Sequence, residues 1–198
     1  AAGDPGQDPF THEQIRKFEQ MSSRLSRSLG KSFRKHILNS SGIERFPDAQ
    51  FDMVRLGIGL HGIGGDSSLK VVSSFLTTVS QIRTVAAGDS VGYLRSGVTN
   101  QHSTIATIPV GYADGFHRSL GNGVGKVYVN AQAAPTIGEI CMDMAMIDVS
   151  GLDVSEGDLV ELFGKQQPVS ELARQAGTIP YEILTSVPER VKRVYLQE

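Results

Sequence analysis

The stretch TIATIPVGYADGFHRSLGNG, residues 104–123, carries more chemistry than a turn needs. An apolar, strand-like run ends in a tip that holds Tyr112, Asp114, His117, Arg118 and four glycines. A turn alone is served by one or two glycines, and the additional ones let the backbone approach a neighbouring surface closely. Asp114 stands between turn-forming residues and is expected to cap the turn. His117 is expected to lie at the surface.

Two other side chains have more than one interpretation. Arg55 is flanked by the apolar residues Val54 and Leu56, and burying its charge among them without a partner would be unfavourable. It is therefore expected to face solvent, to form a salt bridge or to bind a ligand. Cys141 is the only cysteine and has no basic neighbour in sequence, which favours a buried small hydrophobe over a nucleophile. A single cysteine excludes an internal disulfide and a zinc site built from several thiolates, and it fits a reducing compartment. No metal site is predicted.

The overall composition excludes several classes of partner. The 198 residues, 39% of them apolar, suffice for one large or two small domains. Lys plus Arg number 19 against 21 Asp plus Glu, which leaves no electrostatic footprint for nucleic acid or an anionic membrane surface. No apolar run approaches the roughly 20 residues that span a bilayer, and the first residues lack a targeting signal. We therefore predict a soluble, cytoplasmic protein without a nucleic-acid or membrane partner.

Helical and strand-like patterns open the chain. Apolar side chains recur at helical intervals at Ile15, Phe18, Met21, Leu25 and Leu29. Thr11 and Gln14 have capping-box spacing and Gly30 is a stop signal, so a helix is predicted over residues 12–29. The runs HILNSSG and MVRLGIGLHGI follow as two predicted strands, an order typical of a piece of a parallel α/β structure. Residues 64–70 are predicted to be a linker.

From residue 71 the pattern changes to short β-type runs separated by turns, which predicts an antiparallel barrel or sandwich. One late helix is predicted in SELARQAG, with Ser170 as its cap and Gly177 as its end. The predicted fold is thus a mainly β C-terminal domain, antiparallel and barrel-like, over residues 71–198. An α/β fragment over residues 1–66 precedes it.

Six strings in family order resemble the PLP-dependent alanine racemases: HILNSSG, DMVRLGIGLHG, AGDSVGY, IPVGYADG, IGEICMD and IPYEILTSVPERVKRVY. The resemblance implies that residues 1–66 are the end of the PLP-binding TIM barrel and that residues 71–198 are the complete C-terminal β domain. It implies a homodimer with active sites shared between subunits, which interconverts L- and D-alanine for cell-wall precursors. The family's N-terminal lysine motif, which holds pyridoxal 5'-phosphate covalently, has no counterpart here. The chain alone is therefore expected to be inactive and to hold no PLP covalently.

The resemblance assigns cofactor contacts to five residues. Ser40 would donate its hydroxyl, and Gly57 and Ile58 their backbone amides, to the phosphate of PLP, as loops at the end of a TIM barrel commonly do. Tyr181 would reach the same phosphate, and Arg55 would donate to the pyridine nitrogen. A guanidinium can donate a hydrogen bond but does not give up its proton, so the ring nitrogen would stay unprotonated. The alternative is that both strings are ordinary strand ends rich in small residues.

The resemblance also assigns residues to catalysis and to substrate. Tyr93 would be the base on the face of Cα opposite the missing lysine, although a tyrosine packed beside a turn is the commoner fate. Tyr112 would narrow substrate access in the partner's active site, and Arg118 would join the polar entrance. Met142 would present its backbone N–H to the substrate carboxylate, with Asp143 holding the loop.

Four positions depart from the family pattern. Gly92 and Leu94 flank Tyr93 where relatives have Ser and Gly, and Glu139 stands where many have Arg, so the entrance electrostatics could be rewired. His61, where Tyr is frequent, is interpreted as structural.

Two other functions stay open, a broad-specificity amino-acid racemase and a catalytically silent association module. Without the rest of the barrel, the two predicted strands are expected to be rearranged, disordered or covered by another chain. Phosphate or sulfate could still bind at Ser40 and the two amides if those loops keep their shape.

Overall fold

The computed structural model describes residues 3–66 and 68–196. The chain divides into two compact units, residues 1–72 and residues 73–198. We refer to them as unit 1 and unit 2 and describe each by itself.

Unit 1 begins with a helix that is longer than predicted. A 3-10 turn at Pro5–Gln7 leads into α1, Asp8–Leu29, which therefore starts four residues before the predicted range. Pro9 in its first turn needs no hydrogen-bond acceptor, and the Asp8 carboxylate favours a helix start. The capping-box prediction for Thr11 is wrong, because Thr11 is buried inside the helix and its hydroxyl donates to the carbonyl of Gln7. The predicted stop at Gly30 is confirmed, with φ 61° and its N–H on the Ser26 carbonyl.

The two predicted strands of unit 1 are not strands. Their segments run side by side, and backbone hydrogen bonds from Asp52 N–H to Lys35 O and from Arg55 N–H to Leu38 O join them. They lead into short helices, α2 at Ser40–Arg45 and a 3-10 turn at Ile58–His61. Parallel strands are stable when other elements cover both faces of their sheet, and the described part of unit 1 forms no sheet. A small core holds the segments together, made of Leu38, Phe46 and Ala49 with Ile15, Ile37, Ile43, Phe51 and Val54.

Nine strands are present in the part of unit 2 that the structure describes. They are β1 (Phe75–Thr78), β2 (Gln81–Val85), β3 (Ser90–Val91), β4 (Gly97–Val98), β5 (Ser103–Ile108), β6 (Lys126–Val129), β7 (Gln132–Pro135), β8 (Ala145–Asp148) and β9 (Leu159–Phe163). Within the described residues they form three sheets, ordered β1-β9-β6-β7, β2-β5-β8 and β3-β4. Every pairing is antiparallel, as predicted.

The sheets of unit 2 do not close into a barrel. A single bridge between Thr136 and Ile147 links the end of β7 to β8. The outer strands β1 and β2 are consecutive in the chain, joined through Val79 and Ser80, but no ladder pairs them. The prediction of antiparallel sheets is confirmed, but the described residues form three open sheets and no closed barrel. Fully buried side chains between the layers include Ile108, Phe116, Leu120 and Leu162.

Two late helices are present where one was predicted. They are α3, Val169–Ala176, and α4, Pro180–Ser186. Ser170 lies inside the first turn of α3 and is not its cap, because Pro168 precedes the helix. Gly177 ends α3 in the left-handed conformation, which confirms that prediction. No helix in the described residues is long and apolar enough to cross a bilayer.

Candidate active-site segments

In unit 1 the structure brings Ser40 together with Gly57 and Gly59. Asn39 caps α2 through its side-chain oxygen, which accepts from Gly42 N–H, and this places Ser40 at the first position of the helix. The Ser40 Oγ is buried and accepts hydrogen bonds from the amides of Gly57, at 3.1 Å, and Gly59, at 3.2 Å. We call Ser40 and the backbone of residues 57–59 the Ser40 cradle. Gly59 is not among the residues predicted from the sequence, although its position two residues after Gly57 could have indicated a second amide in this loop.

The cradle has room for a ligand on one side. No heavy atom lies within 4 Å of where a Cβ on Gly57 would point. Ile58 opens the 3-10 turn, and the first amides of such a turn have no acceptor inside it. The Ser40 hydroxyl accepts from both glycine amides and still has its own proton to donate. A serine hydroxyl beside small residues and helix-start amides suits a phosphate group chemically.

Arg55 lies in the segment that leads to this cradle. Its side chain is exposed, donates from Nη2 to the Ile37 carbonyl at 3.1 Å, and places Nη1 2.9 Å from Nδ1 of His36. The solvent-facing interpretation of Arg55 therefore describes this chain, and one face of the guanidinium is used for local structure. His61 ends the neighbouring 3-10 turn and is exposed.

In unit 2, Gly111 clamps two of the predicted segments together. A Cβ at Gly111 would lie 2.3 Å from the Cys141 carbonyl oxygen. The next two residues continue this contact, because Tyr112 N–H donates to Cys141 O at 3.0 Å and Ala113 N–H donates to Met142 O at 2.9 Å. The GYADG tip and the ICMD loop are thus one backbone unit, which explains the first of the glycines in the opening stretch.

The tip is closed by the carboxylate of Asp114. Its Oδ2 accepts from Gly111 N–H at 2.9 Å, so the prediction that Asp114 caps the turn is confirmed. Its Oδ1 forms an ion pair with Arg190, Nη2 to Oδ1 2.6 Å. No local pattern indicates Arg190 as the partner of Asp114, because it lies 76 residues away.

At the opposite side of the ICMD loop, Glu139 joins two polar residues. Its Oε2 lies 2.9 Å from Arg118 Nη2, and its Oε1 accepts from Asn122 Nδ2 at 3.1 Å. The predicted entrance residue Arg118 is thus paired with the residue that departs from the family pattern. Asn122 was not singled out from the sequence.

Tyr93 lies on a strained turn that packs against the same loop. Tyr93 begins the 3-10 turn Tyr93–Arg95 and is 71% exposed. The other two residues of the turn have positive φ, 59° at Leu94 and 53° at Arg95. A Cβ at Gly97 would lie 2.6 Å from the Gly138 nitrogen, so the turn touches the IGEICMD backbone directly. Tyr93, Met142, Tyr112 and the Arg118 pair therefore belong to one contiguous group of loops in unit 2.

The remaining predicted residues are placed as follows. Met142 and Asp143 are exposed. A backbone hydrogen bond from Cys141 N–H to Met144 O, at 2.9 Å, closes the loop that contains them. Tyr181 is the second residue of α4 and is half-exposed. Among the described residues, no group of His, Cys, Asp and Glu side chains is arranged to hold a metal ion.

Cys141 is buried against Val91, Ile105 and Met146, as predicted for a small hydrophobe. Burial raises the pKa of its thiol above the ordinary 9.0, and the carboxylates of Asp143 and Glu139 raise it further. The thiolate, which is the nucleophile, is therefore disfavoured in the folded chain.

This environment predicts slow alkylation of Cys141 in the folded protein. At pH 8, iodoacetamide should label the native chain more slowly than the urea-unfolded chain, because the raised pKa lowers the thiolate fraction and burial restricts access to the sulfur. The folded chain keeps its thiol proton to higher pH than the unfolded chain, so the free energy of unfolding should fall as pH rises through the ordinary value of 9.0. Cys141→Ala should remove that fall. Equal labelling rates in the two states would contradict the assigned environment.

Comparison with known proteins identifies the family that uses these segments. The family model for the N-terminal domain of alanine racemase matches residues 1–64, and the model for the C-terminal domain matches residues 72–195. The chain belongs to the alanine racemase family. The resemblance drawn from the six strings is thereby confirmed.

Individual alanine racemases are similar over almost the whole chain. Alanine racemase 1 of Clostridium acetobutylicum is 37% identical over 200 residues, which cover 95% of this chain and 52% of the relative. The alanine racemase of Chlorobaculum tepidum is 39% identical over 193 residues, which cover 93% of this chain and 50% of the relative. The chain thus spans about half the length of the curated relatives it matches.

Solved alanine racemase structures share the fold of the chain. The Bartonella henselae enzyme with covalently bound pyridoxal phosphate has a TM-score of 0.79 and 40% identity, over 90% of this chain and 52% of that one. The Clostridium difficile enzyme in complex with cycloserine has a TM-score of 0.89 and 33% identity, over 99% of this chain and 54% of that one.

Proposed function

We propose that this chain supplies the C-terminal half of a PLP-dependent racemase that interconverts L- and D-alanine. The observation that carries the proposal is the match of both alanine racemase domains, in family order, across this one chain. Those matches include the Ser40 cradle in unit 1 and the Gly111–Cys141 clamp in unit 2. We propose further that the enzyme is a homodimer with shared active sites. The single cysteine supports a cytoplasmic location.

The residues of the Ser40 cradle fit the phosphate of PLP, the group that the Bartonella henselae relative carries. In this proposal the Ser40 hydroxyl and the Ile58 amide would bind the phosphate, and the Tyr181 hydroxyl would contact it as well. The Gly57 amide would also donate to the phosphate, which requires it to turn from its present bond to Ser40 Oγ. Arg55 orients the pyridine ring by donating to its nitrogen, which requires the guanidinium to turn from its present contacts with His36 and Ile37. When bound, PLP supplies an electron sink that makes the Cα proton of an amino acid removable.

The loops of unit 2 then act on the substrate. Racemisation needs a proton removed from one face of Cα and returned to the other, so two groups must flank that atom. Tyr93 holds and moves the proton on one face, and a lysine outside this chain does so on the other. The Met142 amide binds the substrate carboxylate, Asp143 steadies the loop, and Tyr112 and Arg118 restrict access to the partner's site. The exposure of Tyr93, Tyr112 and Met142 in this chain supports roles directed toward another surface.

The activity test compares this chain with the complete enzyme, by which we mean the chain together with the half of the family fold that it does not cover. With added PLP, the complete enzyme should convert L-alanine to D-alanine, measured by chiral chromatography, and this chain alone should not. Turnover by the isolated chain would contradict the role of the missing lysine. Faster turnover of a larger amino acid than of alanine would favour a broad-specificity racemase, and an inactive complete enzyme would favour an association module.

A further inference from the structure

Glu139, to which the proposed reaction assigns no role, is the centre of a hydrogen-bonded trio with Arg118 and Asn122. Only 19% of its side chain is exposed, and each carboxylate oxygen has a partner, Arg118 for Oε2 and Asn122 for Oε1. The backbone adds a second connection, since Asn122 N–H donates to Gly138 O at 2.8 Å. Glu139 therefore ties the loop that contains Arg118 and Asn122 to the segment just before Met142.

That segment is also the surface on which the Tyr93 turn rests. A Cβ at Gly138 would lie 2.6 Å from the Val91 carbonyl oxygen, and one at Gly97 would lie 2.9 Å from the Gly138 Cα. A Cβ at Gly92 would lie 3.5 Å from the Glu139 nitrogen. The backbone on both sides of Tyr93 thus lies against residues 138 and 139, so movement of one segment is transmitted to the other.

The Tyr93 turn depends on such support because its conformation is unfavourable. Leu94 and Arg95 both adopt positive φ, which side-chain-bearing residues rarely do. Residues in sparsely populated regions of φ and ψ persist only where the surrounding structure holds them there. The side chain of Leu94 is 85% exposed and contributes little packing of its own. Arg95 Nε donates to Ser90 Oγ of the preceding strand at 3.1 Å, and the contacts that reach farther along the chain include the backbone contacts at Gly92, Gly97 and Gly138.

We propose that Glu139 is a positioning residue for Tyr93. By binding Arg118 and Asn122 together, its carboxylate holds the 138–139 backbone in the place where the strained Tyr93 turn can form. This rests on the proposed function, in which Tyr93 moves the proton on one face of Cα. Arg118 and Asn122 are themselves exposed and can donate to water, so loss of Glu139 should cost little stability. What its removal takes away is the tie between the two segments.

The activity arm of the test uses Glu139→Ala in the complete enzyme. Because small misplacements of a catalytic group are costly, kcat should fall at least about tenfold, with a much smaller change in KM. Solvent-hydrogen exchange at Cα should slow for the alanine enantiomer whose proton Tyr93 removes, and much less for the other. Glu139→Gln, which keeps one acceptor oxygen, should lie between Glu139→Ala and the natural residue, and it carries the test if Glu139→Ala does not fold.

The structural arm needs no activity and uses the 198-residue chain. In Glu139→Ala the backbone amides of residues 92–97 should exchange with deuterium at least about tenfold faster, because the turn opens locally. Glu171→Ala is the matched control: Glu171 also pairs with an arginine and a glutamine amide, Arg174 at 2.7 Å and Gln175 at 3.0 Å, but on α3. It should leave the exchange of residues 92–97 unchanged.

The outcomes separate the positioning role from the proposed function. A complete enzyme of natural sequence that shows no Cα exchange overturns the proposed function and with it the catalytic role of the Tyr93 turn. A racemase in which Glu139→Ala slows exchange equally for both enantiomers, or leaves residues 92–97 as protected as Glu171→Ala does, overturns the positioning role alone.

Discussion

Tyr93→Phe in the complete enzyme is expected to lower kcat at least ~10²–10⁴-fold, the usual contribution of a general acid or base, while PLP binding stays nearly intact. The hydroxyl is the only group removed, and the 71% exposure of this side chain means that its loss should hardly change stability. The asymmetry of solvent-hydrogen exchange at Cα is the decisive measurement. Exchange from one alanine enantiomer should be lost far more completely than exchange from the other.

A matched control for this variant is Tyr128→Phe, which removes a phenol hydroxyl from β6, where the ring packs beside Lys126. It should leave kcat unchanged. If Tyr93 acts across the subunit interface, mixing Tyr93→Phe chains with chains that lack the PLP-binding lysine should restore one working site per mixed dimer. A mixture that stays inactive although mixed dimers form would contradict that assignment.

Gly111→Ala is expected to destabilise unit 2 by about 3 kcal/mol, at the upper end of what overpacking costs. The new Cβ would lie 2.3 Å from the Cys141 carbonyl oxygen and 2.6 Å from the Met142 carbonyl, and both are backbone atoms that cannot rotate away. The tip and the ICMD loop must therefore separate, which breaks the bonds from Tyr112 and Ala113. Urea unfolding followed by circular dichroism measures the loss.

The control separates steric contact from backbone conformation. Gly151 has φ 76° and no atom within 4 Å of its Cβ position, so Gly151→Ala should cost only the left-handed conformation, about 1 kcal/mol. In the complete enzyme, Gly111→Ala should also raise KM for alanine, because Met142 moves. Equal destabilisation by the two variants would show that the Gly111 contact is relieved at no cost.

Much of the local structure could be predicted from short-range patterns. The α1 stop at Gly30, the α3 stop at Gly177 and the turn cap at Asp114 each depend on residues within five positions of one another. Such interactions can be predicted from the sequence, because they involve only groups that are close together in the chain. Burial of Cys141 followed from its chemistry and its lack of a basic neighbour.

Strand pairing and helix bounds are harder to predict from the sequence. The runs around Leu38 and Arg55 have the composition of buried parallel strands, but such strands are stable only when other elements cover both faces of their sheet, and the described part of unit 1 forms no sheet. The start of α1 was placed too late because Asp8 and Pro9 favour a helix start more strongly than the Thr11 spacing does. The second late helix was missed because its seven residues are too few to show a helical period.

The sequence by itself determined the family, because six motifs in a fixed order are specific even when each is weak alone. It also named Ser40, Tyr93, Tyr112, Met142 and Arg118 as residues to test. Only the tertiary structure decided which of them share a neighbourhood and what holds them there. The Glu139 trio, the Gly111 clamp and the Asp114–Arg190 pair join residues 17 to 76 positions apart. Contacts at such separations depend on how strands and loops are folded back on one another, and no local pattern encodes them.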